Sequence, residues 1–294
     1  MDLNPAGPIV TPRDAATLVL VRNASSGVEV FCVERHKKSA FMGGAIVFPG
    51  GKLDPKDRDP AWRDLCNAPR EAPFAPDEET SRALAIAACR ETLEEAAMLP
   101  TVGPPLLHED LLALRAQLAS GAESLLSWLA RAGTKLDLGS LIPWSRWVTP
   151  TAETRRYDTR FFLAIAGETQ QGAHDDHETT ASFWATPRDL LARFDAGTVE
   201  LMPPTHRTLS LLAGAAHAED AALLAQSACK DPICPKLVPQ KATQNETETD
   251  TLALVLPGDP EHEISTARVP GPSRFVLRGA RWLPENAPRP ARAG

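Results

Sequence analysis

The chain has 294 residues, 43% hydrophobic and 23% charged, enough for one large or two small globular domains with a buried core. Its 31 Lys and Arg against 38 Asp and Glu leave a net charge of -7. This argues against nucleic acid or an anionic membrane surface as partner, since both require a broad cationic footprint, but leaves room for a small basic pocket. The 27 prolines outnumber the 18 glycines, so rigid connections must interrupt the regular elements.

Residues 15–22 and 28–34 are β-rich runs on either side of Asn23-Ala24-Ser25-Ser26-Gly27, the pattern of an antiparallel hairpin. A third extended run, 45–48, stops at Pro49-Gly50-Gly51, where the chain must turn. Residues 54–80, rich in Pro and Asp, read as an insertion with one short helical piece at 61–66. From about Asp77 to Leu99 the pattern is strongly helical: acidic residues suit its start, Ala fills the interior and Pro100 ends it. A Leu-rich helical region at 109–131 is split at Gly121, and 157–165 is a core strand. A short strand at 182–184 is followed by helices at 187–194 and 204–216, both opened near a proline. The rest is expected to be a linker at 221–250, a β-hairpin appendage at 251–283 and a disordered tail at 284–294.

No run approaches the ~20 apolar residues of a membrane span, and Met1-Asp2-Leu3-Asn4-Pro5 lacks a basic and then apolar leader, so a cytoplasmic protein is expected. The five cysteines lack the paired spacing of a zinc site and read as reduced, mostly buried thiols.

The most informative segment is Cys89-Arg90-Glu91-Thr92-Leu93-Glu94-Glu95-Ala96-Ala97-Met98. At ~100° per residue, Glu91, Glu94 and Glu95 share one helix face, opposite Ile86, Cys89, Leu93 and Ala97. Like charges at such spacing repel, so something should compensate. A hard divalent cation, Mg²⁺ or Mn²⁺, fits three carboxylates. A solvated acidic face without metal, with Arg90 in an ordinary surface pair with Glu94, is the competing reading.

Phe48-Pro49-Gly50-Gly51 closing a strand, followed by a helix bearing Arg90-Glu91-x-x-Glu94-Glu95, resembles the signature of the Nudix hydrolases. The long spacing between Gly51 and Arg90 is similar to the coenzyme A diphosphatase subgroup, which carries an insertion there. Phe41-Met42-Gly43-Gly44, Trp147-Val148-Thr149-Pro150, Arg156 to Phe162 and Met202-Pro203-Pro204-Thr205 extend the likeness across about residues 14–216. Two positions depart from the pattern. Ala97 stands where the helical Gly is expected, and Arg82 where the first glutamate is expected, although Glu78 and Glu79 lie one turn earlier. The C-terminal Ala-Arg-Ala-Gly does not match a peroxisomal address.

The resemblance implies a Nudix-type α/β/α sandwich with a mixed central sheet. The catalytic domain would span 10–220, with insertions at 54–80 and 103–140 forming a helical cap over the cleft, and a short C-terminal β appendage that covers a sheet edge or supports a homodimer. It implies hydrolysis of a small nucleoside-diphosphate derivative, first of all coenzyme A or acyl-CoA. ADP-ribose or a dinucleotide is the alternative substrate, and a catalytically weak nucleotide sensor the alternative role. Glu91, Glu94 and Glu95 would hold Mg²⁺ or Mn²⁺ with the Gly51 carbonyl, and Arg90 would fix a carboxylate rotamer. Glu178 would serve as metal ligand or general base. Arg35, with Gly50 and Gly51, would contact phosphate, joined by Arg156 and Arg160 and by the neighbouring Arg155. Trp144, Trp147 and Trp184 offer stacking surfaces, though core packing suits at least two of them.

Overall fold

A computed structural model of the chain describes residues 7–36, 44–70, 74–103, 106–167, 170–173, 179–240 and 251–288. Strands β1 (Arg13–Ala24) and β2 (Gly27–Arg35) form the expected hairpin, with Val21 opposite Val30 and Ala24 opposite Gly27. Strand β3 (Ala45–Val47) pairs with β2, and the turn at Phe48-Pro49 sends β4 (Gly50–Lys52) antiparallel along the start of β1. A Cβ on Gly50 would lie 2.6 Å from the Ala16 carbonyl oxygen and 2.7 Å from Thr17 Cα, so only glycine allows β4 this close to β1.

A single 3₁₀ turn (Pro55–Arg58) and helix α1 (Trp62–Leu65) precede helix α2 (Glu78–Ala96). The Asp77 carboxylate caps α2 by accepting the Thr80 N–H at 2.6 Å. The helix stops at Ala97, which takes the left-handed conformation at φ 50°. A left-handed residue is a natural place for glycine, and alanine costs on the order of 1 kcal/mol there. The methyl of Ala97 is fully buried, which offsets part of that cost. Strand β5 (Thr101–Val102), helices α3 (His108–Ala119) and α4 (Leu125–Ala132) and strand β6 (Lys135–Leu136) follow, with β5 and β6 paired. Strands β7 (Ile142–Val148), β8 (Tyr157–Ile165) and β9 (Thr179–Ala185) lead into helix α5 (Pro187–Asp195), strand β10 (Glu200–Leu201) and helices α6 (Pro203–Leu212) and α7 (Ala218–Ser227).

The main sheet has the order β10-β3-β2-β1-β8-β7 and ends at β11 (Pro232–Ile233), with β4 added on β1 and β9 on β2. It is mixed: β1 runs parallel to β8 and antiparallel to β2. The pleat sorts the side chains of β1, sending Ala16, Leu18 and Leu20 to one core and Val19 and Val21 to the other. Helix α2 covers the first face; α5, α6 and α7 contribute to the second core. This is the expected sandwich.

Three expectations change. Among the described residues, none of the inserted segments lines the cavity. Trp62, Phe74, Leu111, Leu114, Leu125 and Leu129 join the same core as α2, leaving that helix apolar on more than its sheet side. The run Ala83-Leu84-Ala85-Ile86-Ala87-Ala88-Cys89 is buried throughout for this reason. Second, residues 221–240 are not a linker: they hold most of α7, then β11 and β12 (Lys236–Gln240), while 241–250 lie outside the described residues. Third, the appendage is a four-stranded antiparallel sheet rather than a hairpin, formed by β12, β13 (Thr251–Val255), β14 (Arg274–Arg278) and β15 (Arg281–Glu285). Its Leu254, Phe275 and Trp282 share a core with Phe194 and Leu209 of the helical layer. Strand β15 takes the first two residues of the expected tail, and 289–294 lie outside the described residues.

The described cysteines are unpaired thiols, with Cys32, Cys66 and Cys89 buried and Cys229 exposed. Among the described residues no helix is long and apolar enough to cross a membrane.

Candidate active site

The last two turns of α2 pass beside the β4 turn, and Arg90 joins the two. Its Nε and Nη2 donate to the Asp57 carboxylate at 2.9 and 3.0 Å, and Nη2 also reaches the Lys52 carbonyl at 3.0 Å. Nη1 donates to Glu91 Oε1 at 2.8 Å and to Glu94 Oε2 at 3.2 Å. Five N–H groups thus find five acceptors, the full capacity of a guanidinium. Arg90 is far from an ordinary surface partner of Glu94.

Asp57 is the residue that sequence reasoning missed. The sequence offers Glu94 as the ordinary partner of Arg90, and Arg82, which stands where the first glutamate is expected, pairs with Glu78 one turn earlier. The bidentate partner of Arg90 comes from the 3₁₀ turn after Gly51. Asp57 is almost fully buried and also accepts the Asp54 N–H at 2.8 Å. The available signal was its position six residues after Gly51, on the near side of the insertion.

Gly51 matters for a different reason from Gly50. A Cβ there would stand 2.4 Å from the Glu91 carboxylate, so the missing side chain is the space that Glu91 occupies. Glu95, which is buried, accepts the Gly50 N–H at 3.1 Å through Oε2. Glu91 is mostly enclosed, and burial pushes its carboxyl up to about 7 despite Arg90; the neighbouring Glu94 raises it further. Burial also raises Glu94, again opposed by Arg90.

For Glu91 the folded pKa exceeds the unfolded one, so the native state binds the proton more tightly. The group favours the fold at low pH, and that contribution is lost as pH rises from about 4.5 to about 7. Glu91→Gln should therefore raise metal-free stability at pH 8 by on the order of 2 kcal/mol. Little gain should remain at pH 4.5, where wild-type Glu91 is already protonated. Urea unfolding at both pH values measures this, and an equal change at the two would refute it.

The glutamates open onto a cavity of about 440 Å³, in the range of small-molecule sites. Arg35, Lys52, Gly50 and Gly51 also line it. Glu153, buried on the loop between β7 and β8, is a further carboxylate in the wall that the sequence did not single out. Glu178 lies outside the described residues.

The structure does not bring Arg156 and Arg160 to this cavity. Both are buried and fasten the fold: Arg156 donates to the Thr149 and Val10 carbonyls at 3.0 and 2.7 Å, and Arg160 pairs with Asp14 at 2.6 Å. Arg155 is exposed. Trp147 lines the cavity, but Trp144 is a core residue bonded to Thr208. Trp184 packs on Phe31 and beneath Arg22.

Among the described residues no three Asp, Glu, His or Cys side chains converge into a closed cage for an ion. The three glutamates form an open wall instead. Such an arrangement suits a hard divalent cation that keeps several waters and takes only a few carboxylate oxygens. A carboxyl whose burial raises its proton affinity is also one whose charge a cation would compensate.

A family model described as the NUDT19 Nudix domain matches residues 12–212. The chain is 30% identical over 247 residues to acyl-coenzyme A diphosphatase NUDT19 of Gallus gallus, covering 65% of this chain and 65% of that protein. It is 29% identical over 237 residues to the Homo sapiens protein of the same name, covering 67% of this chain and 63% of that one. The chain therefore spans just under two thirds of the length of these relatives. Among solved structures, a NUDIX hydrolase from Alicyclobacillus acidocaldarius has a TM-score of 0.63 and 32% identity, covering 74% of this chain and 97% of that one. The family match takes in the Gly50-Gly51 turn, Asp57, the acidic end of α2 and Glu153 together, and the chain belongs to the Nudix hydrolase family.

Proposed function

We propose that this protein hydrolyses the pyrophosphate linkage of coenzyme A or an acyl-CoA. In this reading Mg²⁺ or Mn²⁺ is held by Glu91, Glu94, Glu95 and the Gly51 carbonyl. The observation that carries it is one cavity lined by all three glutamates, the Gly50-Gly51 turn and the cationic side chains of Arg35 and Lys52. Nudix hydrolases generally use divalent metal ions, and the relatives in Gallus gallus and Homo sapiens carry the name acyl-coenzyme A diphosphatase.

When bound, the cation neutralises charge on the diphosphate and makes a water more acidic. Arg90 holds the carboxylates of Glu91 and Glu94 in place through the hydrogen bonds described above. Arg35 and Lys52 bind phosphate oxygens by charge-assisted hydrogen bonds and orient phosphorus toward the attacking water. Glu178 takes the proton of that water. Glu153 is the second acid for this step, and loss of rate in Glu153→Gln with none in Glu178→Gln would transfer the role.

Purified protein with Mg²⁺ or Mn²⁺ should convert coenzyme A to 3′,5′-ADP and 4′-phosphopantetheine, and chelation should stop it. Offering coenzyme A, acyl-CoA, ADP-ribose and NADH in parallel decides the substrate. Preference for ADP-ribose or NADH would replace coenzyme A in the proposal. Binding without cleavage of any of them would make the protein a nucleotide sensor.

A further inference from the structure

The family match ends at residue 212, yet the cavity does not. Pro235, between β11 and β12, and Leu254 of β13 line it together with Pro150, Met202, Pro203 and Pro204. Leu254 is fully buried, which places it at the back of the wall rather than on its rim. It is also held firmly, standing between Leu237 of β12 and Phe275 of β14. Ion pairs help fix the C-terminal sheet. Arg274 and Asp259, both buried, bond at 2.6 Å, and Arg281 of β15 reaches Glu200 at 2.9 Å, just before the Met202–Pro204 side of the wall.

The chemistry of this wall is unusual. Four of its members are prolines, which have no backbone N–H, and Leu254 and Met202 add no side-chain donor. A second sugar carries hydroxyls but no apolar group of comparable size to lay on these rings, so this part of the wall offers it little. An arm bearing dimethyl and methylene groups can lay them on the rigid pyrrolidine rings, which have little conformational entropy to lose, while Thr149 and Thr205 of the same cavity can meet its hydroxyl and amide groups. The acidic and cationic groups of the same cavity supply the complementary end for a diphosphate.

We propose that Pro235, with the fully buried Leu254 in the layer behind the surface, sets specificity by taking the apolar part of an arm attached to the diphosphate, making the C-terminal sheet a working part of the substrate cavity. This rests on the pyrophosphatase reading and adds to it which half of the substrate the apolar wall accepts.

Coenzyme A and ADP-ribose share an ADP portion and differ in the other half, pantetheine against a second ribose. With Mg²⁺ present, Leu254→Ala and Pro235→Ser should each lower kcat/KM for coenzyme A about tenfold, mostly through KM, as expected for losing one to two buried methylene contacts. ADP-ribose should change less than about twofold, and Leu254→Met should restore coenzyme A to near wild type. Product inhibition by 4′-phosphopantetheine should weaken in parallel, while inhibition by 3′,5′-ADP should not. If Leu254→Ala fails to fold, Pro235→Ser and Leu254→Met carry the comparison. Equal losses on both substrates, or no change in a variant of an enzyme that does cleave coenzyme A, would overturn this inference alone. Wild-type protein that cleaves ADP-ribose but not coenzyme A would overturn the substrate reading together with it.

Discussion

Replacing Glu94 and Glu95 together by Gln should reduce kcat/KM by about a thousandfold or more, on the scale of removing groups that stabilise transition-state charge, while leaving the fold intact. The reason for the second half is local. Glu95 Oε2 accepts the Gly50 N–H and Glu94 Oε2 accepts from Arg90, and an amide oxygen can take either role. What disappears is negative charge. In the metal-free protein that charge is a source of repulsion beside Glu91, so the variant should melt at the wild-type temperature or higher. The wild type should gain stability as Mn²⁺ is added, because a ligand of the native state stabilises it by mass action, and the variant should not. Calorimetric Mn²⁺ titration and thermal melts test both halves. Equal weak Mn²⁺ binding in the two proteins would leave α2 an ordinary acidic helix and end the metal assignment.

The sequence made most of the α2 side of this site legible, because helical periodicity and the Gly50-Gly51 turn are local properties. The apolar run of β1, buried on both faces, and the start of α2 follow from the same short-range patterns, whereas α2 stops at the left-handed Ala97 rather than at Pro100. What it hid was set by tertiary contact. Arg156 and Arg160 look like phosphate ligands in a linear reading, since an arginine that bonds carbonyls and an arginine that bonds a substrate have the same side chain. Only their burial against Thr149, Val10 and Asp14 separates the two. The inserted helices resembled a cap because their Leu-rich faces needed apolar cover, and no local signal said that the Ala-rich back of α2 would supply it. The C-terminal segment was harder still. Its polar, Pro-rich stretch suggested a linker, but Pro232 and Pro239 sit in short strands, and Pro235 between them faces the cavity. Proline content therefore reported rigid geometry there rather than the absence of structure.

The second large effect should come from Asp57, which touches no proposed phosphate or metal contact directly. Asp57→Ala removes a carboxylate whose side chain is 1% exposed and leaves the Nε and one Nη2 donor of Arg90 without their acceptor in a largely enclosed place. Breaking such a pair from one side costs about 3–5 kcal/mol, well above an exposed ion pair. For a chain of this size that is a fall of roughly 10 °C in melting temperature. The catalytic loss should be separable from the structural one. Released from Asp57, Arg90 is free to turn further onto Glu91 and Glu94, competing with a cation for their oxygens, so Mn²⁺ affinity should fall by about 10–100-fold, as for other groups that orient metal ligands. Arg90→Lys should not rescue geometry, because an ammonium cannot present five N–H donors in a planar fork to Asp57, Lys52, Glu91 and Glu94. The double variant Asp57→Ala with Arg90→Ala should lose less stability than the sum of the two single changes, since neither buried charge is then left alone. Additive losses would mean that the pair is not coupled, and unchanged Mn²⁺ affinity in a folded Asp57→Ala protein would separate Asp57 from the site altogether.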